Sequence, residues 1–250
     1  MNRKMLVGFA AAVLLSACGG GGMMDSSSMA TGTTAMTTLQ SAPAPAQPFN
    51  VPPTTLDVTV NGMSYTLTYS DMPNSGVTMF AGQSANSSTI NVMVQQGTTT
   101  LSSDSSTSYY LLSPFTPLGM SGTLSGTLAG TTYTVTLNSV NPLPSMLMVG
   151  ASGTLLSATF MASGTTTAMG TLTETYSVTA GTADALTLTI ESDSTLNGQM
   201  ATTSTVFSVD MMGNLMLQSV DAMVNGQTFT FTVPTSSTSM SSMSMSSTMG

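Results

Sequence analysis

Residues 186 to 190 read Leu-Thr-Leu-Thr-Ile, apolar and hydroxylated side chains in strict alternation. A period of two puts Leu186, Leu188 and Ile190 on one face of an extended chain and Thr187 and Thr189 on the other. Threonine suits the outer face because its β-branch fits the pleat and its hydroxyl satisfies water without a charge. The pattern recurs in both directions. Leu56, Val58 and Val60 alternate with Asp57 and Thr59, Tyr65, Leu67 and Tyr69 with Thr66 and Thr68, and Ile90, Val92 and Val94 with Asn91 and Met93. Tyr133, Val135 and Leu137 alternate with Thr134 and Thr136, and Phe229, Phe231 and Val233 with Thr230 and Thr232. No stretch holds a helical period of 3.6 for more than a turn, so the sequence predicts an all-β domain.

The connections agree. Asn61-Gly62 and Asn225-Gly226 each separate two alternating runs, and Asn197-Gly198 is a third such pair. Both residues of a type I′ hairpin turn need positive φ, which Asn and Gly adopt most readily. The pairs Pro114/Pro117 and Pro142/Pro144 predict longer loops, because proline donates nothing to a ladder. Short runs joined by tight turns make antiparallel neighbours, hence a single antiparallel meander closed as a barrel, with a sandwich as the second architecture. Gly122, Leu124, Gly126 and Leu128 share one parity, a small-large alternation suited to a tapering barrel interior or a bend.

Composition separates this domain from its flanks. The 250 residues include 83 Ser or Thr and 24 Met, and charged residues make up only 5%, against roughly 25% in an ordinary soluble domain. Residues 18–53 hold four consecutive glycines, a Ser/Thr/Met/Ala mixture and then Ala42-Pro43-Ala44-Pro45, Pro48 and Pro52-Pro53. They read as a disordered tether, as do residues 235–250, all Ser, Thr, Met and Gly, as a disordered tail. Residues 54–234 are the expected β domain.

The first residues are an address. Arg3 and Lys4 precede Met5 to Leu15, an apolar run too short to span a bilayer, which takes ~20 residues. Leu15-Ser16-Ala17-Cys18 follows, and this box resembles that of the bacterial lipoprotein family. The resemblance implies removal of residues 1–17 as a signal peptide and a diacylglycerol thioether on Cys18, usually with a further acyl chain on its amine. Two or more chains anchor stably where one does not. In that family an Asp just after the Cys tends to retain the protein in the inner membrane. Gly19 stands there here, which implies the outer membrane.

Few kinds of chemistry are open to such a chain. Its only basic residues are Arg3 and Lys4, it has no His, and Cys18 is its single cysteine. Beyond the signal there is no base for a Ser or Cys nucleophile, no phosphate clamp and no His-ligated metal site. Nothing cationic is present to hold nucleic acid. Met240, Met243, Met245 and Met249 in the tail are thioethers spaced to wrap a soft ion such as Cu(I). Met79, Met120 and Met161 read as core fillers. Most acids fall in turns or on polar parity, Asp104 within Ser102–Ser106 and Glu191 among them. Glu174 differs, since it shares parity with Leu172, Tyr176 and Val178 and is therefore expected on the buried side. A buried carboxyl is what a general acid needs, and an acid-only glycosidase is the one hydrolytic mechanism that requires only Asp and Glu. The sequence thus favours a lipid-anchored envelope protein with a structural or binding role and no catalysis, no cofactor, and a protein or small apolar ligand as partner class. Cu(I) buffering and then a glycosidase are the alternatives.

Overall fold

The computed structural model describes residues 39–45, 50–112, 115–123, 132–181, 184–196, 198–224 and 227–234. Cys18 and the tail methionines lie outside them. Among the described residues there is no helix and there are fifteen strands. In chain order these are β1 (Ser41–Pro43), β2 (Val51–Val60), β3 (Met63–Pro73), β4 (Thr78–Phe80), β5 (Gln83–Gln96), β6 (Thr99–Leu112), β7 (Phe115–Thr123) and β8 (Thr132–Val140). Then follow β9 (Met146–Met148), β10 (Ser152–Ala162), β11 (Ala168–Ala180), β12 (Ala185–Leu196), β13 (Gln199–Asp210), β14 (Leu215–Val224) and β15 (Gln227–Thr232).

Twelve of them form a closed antiparallel barrel. Each of β2, β3, β5, β6, β7, β8 and β10 to β15 pairs with the next, and β15 returns to β2 through Thr232 opposite Asp57. The meander expected from the hairpin signals is therefore present, and the barrel rather than the sandwich is its form. Asn61 and Gly62 adopt φ of 51° and 77°, as the β2–β3 turn demands. Asn197 and the pair Asn225-Gly226 lie outside the described residues, as do Leu124, Gly126 and Leu128.

Alternation decides the inside. Leu186, Leu188 and Ile190 are buried, whereas Thr187 and Thr189 lie partly in solvent. The same apolar-in, hydroxyl-out order runs through β3 up to Tyr69 and through β8, β10 and much of β11 to β13, where Ser192, Thr203 and Thr205 are inward hydroxyls. Eight strands already make a barrel that its own side chains just fill, so twelve leave more space than one wall can close. The chain fills it from one mouth with a small ladder in which β1 pairs with β9, Ala42 opposite Leu147. Ala42, Leu143 and Leu147 are buried in one apolar cluster with Leu56, Tyr69, Leu188 and Phe207 of the wall. A second cluster, Met120, Tyr133, Val135, Leu156, Ala158, Phe160 and Leu172, fills the β7 to β11 side.

Four expectations need correction. Residues 18–53 are not tether throughout, because β1 plugs the barrel and β2 begins at Val51 rather than at 54, with Pro52 and Pro53 inside it. Burial of Ala42 and Val51 supplies what the Pro-rich composition does not advertise. Pro117 lies in β7 rather than in a loop; the ladder to β6 shifts register between Tyr109 and Tyr110, where Pro117 sits opposite, so the bulge absorbs its missing donor. Met79 is no core filler but 64% exposed on β4. Met120 is buried as expected, and Gly122 leaves the room that Tyr133 fills, since a Cβ there would lie 2.7 Å from the Tyr133 hydroxyl.

Candidate functional site

The polar interior is the candidate site, and three strands build it. On β11 the inward parity set by Leu172 and Val178 carries Glu174 into the wall's inner face with no exposed surface. Its register partners are Leu156 on β10 and Ser192 on β12. The Ser192 hydroxyl donates to Glu174 Oε1 at 3.3 Å. Glu174 thus stands between the two apolar clusters, where sequence parity put it.

Two further acids enter the interior that the sequence reading did not place there. Asp71 continues the inward series Tyr65, Leu67, Tyr69 on β3 and is only 3% exposed. Asp104 does not sit in a polar turn. It lies mid-strand on β6, opposite Val92, on the face shared by Ser102, Ser106 and Ser108. Because the neighbours of Asp104 on that face are serines, no apolar parity marked it as inward. The signal for Asp71 was legible, since the alternating run simply extends one step past Tyr69.

Electrostatics follow from burial without cations. Burial pushes the Asp71 carboxyl up to about 7, partly offset by a hydrogen bond with Ser88. The Tyr69 hydroxyl is raised well above its ordinary value by burial first and then by the nearby Asp71 and Glu174 carboxylates. Tyr133 is pushed up to about 12, again mainly by burial, with Asp104 adding to the effect. Tyr110, raised by burial and by Asp71, donates its hydroxyl to the Ser87 carbonyl at 3.1 Å. Among the described residues no group hydrogen-bonds Tyr69 Oη, Asp71 Oδ1, Ser102 Oγ or Ser108 Oγ.

This arrangement offers acceptors and hydroxyls and no positive charge, so its chemistry is to accept hydrogen bonds inside an apolar wall. Among the described residues, no three acids are grouped so as to hold a metal ion. A cleft of about 570 Å³ lies on the outer side of β6 and β7, lined by Ser103, Ser105, Thr107 and Ser121 among others; none of the three inner carboxylates borders it. Glu191, expected on polar parity, is exposed. Comparison with known protein families, curated proteins and solved structures finds no match to this chain.

Proposed function

We propose that this chain is a lipid-anchored cell-envelope protein whose barrel serves a structural or binding role and not catalysis. The observation that carries the reading is the outer face of the wall: its outward positions are mainly Ser and Thr, such as Thr134, Thr136, Thr173, Thr175, Thr187 and Thr189, while the large apolar side chains turn inward around a plug. A barrel that spans a bilayer carries an apolar outer band, and a face of hydroxyls suits water instead. An anchor must then come from elsewhere, and Leu15 to Cys18 supplies the chemistry for it. The enclosure of Glu174, hydrogen-bonded by Ser192 and away from the outer cleft, favours a structural carboxyl over a glycosidase acid. The outer membrane remains the expected location on the strength of Gly19.

Fractionation of cells expressing Cys18→Ala tests the anchor. The wild type is expected in the detergent-extractable membrane fraction with acyl mass on Cys18, and the variant without acyl mass. A free Cys18 thiol in the wild type overturns the proposal.

A further inference from the structure

The two mouths of the barrel differ in what they expose. One mouth carries the β2–β3, β5–β6, β10–β11 and β12–β13 turns, and its large exposed apolar side chains among the described residues are Met63 and Met200. The other carries the plug, the β3–β5, β8–β10 and β13–β14 connections, the start of β2 and the end of β15. There the exposed apolar side chains form a rim. Met146 and Met148 flank the plug, at 46% and 59% exposed, and Met211 and Met212 follow β13 at 58% and 76%. These two pairs adjoin one another, because a Cβ on Gly213 would lie 3.1 Å from the Pro43 carbonyl of β1, and Pro43 is the register partner of Met146. Val77 and Met79, 69% and 64% exposed, extend the apolar rim in the β3–β5 connection.

We infer that this plugged mouth docks face-on to the surface of the lipid bilayer in which Cys18 is anchored, with Met146, Met148, Met211 and Met212 entering the headgroup and acyl boundary. The occupant follows from where the chain goes. The plug strand begins at Ser41, and residues 19–38 alone separate the described chain from Cys18. Fully extended they reach at most roughly 70 Å, and they join the barrel at this mouth and not at the opposite one, so this is the mouth the anchor leads to. Methionine is unbranched and polarizable, and packs against an irregular apolar surface without a fixed pocket. Charge gives no attraction to anionic lipid, since no Lys, Arg or His follows Cys18. Asp184 and Asp210 lie at this mouth, and Asp210 is engaged within its own turn by the amides of Met212 and Asn214. Contact is therefore apolar, and a zwitterionic bilayer satisfies it.

The inference rests on the anchor proposed above, and the test separates the two. Acylated Cys18 leaves the mature chain with no thiol, so Met212→Cys and Met200→Cys each introduce a single labelling site, one at each mouth. Both positions are exposed, so the fold tolerates them, and an unchanged urea midpoint confirms it. The full-length lipidated variants, labelled with a polarity-sensitive fluorophore, are reconstituted in phosphatidylcholine and phosphatidylethanolamine vesicles containing a lipid-borne quencher. Quenching is expected to be several-fold stronger at position 212 than at 200, and unaffected by salt. Equal quenching at the two positions, on protein whose mass shows an acylated Cys18, overturns docking and leaves the anchor standing. A label at 212 already shielded in the unacylated Cys18→Ala, Met212→Cys protein in buffer free of lipid and detergent also overturns it, since a second copy or the chain's own tail then covers the rim. A free Cys18 thiol overturns both.

Discussion

Asp71 continues the inward face of β3 beside Tyr69, and its carboxyl reaches the neutral range because burial disfavours the charged form. Linkage then fixes a sign. Between the unfolded value near 3.8 and the folded value of about 7 the unfolded chain gives up a proton that the native chain keeps, so stability falls as pH rises through that window and levels off above it. The fall is of the order of a few kcal/mol. Tyr69 and Tyr110, both raised, stay neutral throughout, and every other carboxyl is common to wild type and variant. Asp71→Asn is therefore expected to match the wild type most closely near pH 4 and to gain on it steadily towards pH 7. Urea midpoints measured between those limits check this, and it is the difference in slope that decides. Two parallel curves would mean that the Asp71 carboxyl is hydrated and not held in the wall.

At the level of the strand, close approach of two backbones sets which glycines are required. A Cβ on Gly170 of β11 would fall 1.7 Å from the Thr195 carbonyl oxygen and 2.9 Å from the Leu196 Cα, both backbone atoms of β12. On Gly153 of β10 the nearest atom, at 3.0 Å, belongs to the Tyr176 ring, which can turn aside. Gly170→Ala is expected to cost about 1–3 kcal/mol by forcing the β11–β12 ladder apart, and Gly153→Ala clearly less. Equal urea midpoints for the two variants would contradict this. How far such details are legible in sequence depends on contrast along the strand. Glu174 was placed correctly because Leu172, Tyr176 and Val178 define its parity, and the Asn61-Gly62 turn because its chemistry admits little else. Asp104 was not, for among Ser102, Ser106 and Ser108 inward and outward residues look alike. Nor was β1, three residues whose pairing with Met146–Met148 is a contact across a hundred positions of chain that no local pattern encodes.

For the molecule as a whole, the width of a twelve-strand barrel makes the plug a condition of stability. Wall side chains alone suffice at about eight strands. Here Leu147, fully buried, projects from the plug into the cluster formed by Leu188, Ile190, Phe207 and Val209. The plug is also held by backbone: the Val149 amide donates to the Gln40 carbonyl at 3.0 Å and the Ala44 amide to the Ser145 carbonyl at 2.9 Å. Leu147→Ala should remove about 2–5 kcal/mol, the usual range for emptying a core leucine site. Removing residues 39–45 from the chain should do at least as much, because Ala42 leaves with them and β9 loses its ladder partner. Both effects are read as lower urea midpoints, with the apolar dye 8-anilinonaphthalene sulfonate bound by the truncated chain where the mouth opens. The expectation is a joint one: if the plug closes the core, the truncation and Leu147→Ala combined fall short of the sum of their separate effects, because each opens the same cluster. Full additivity would mean that β1 rests on the mouth without sealing it.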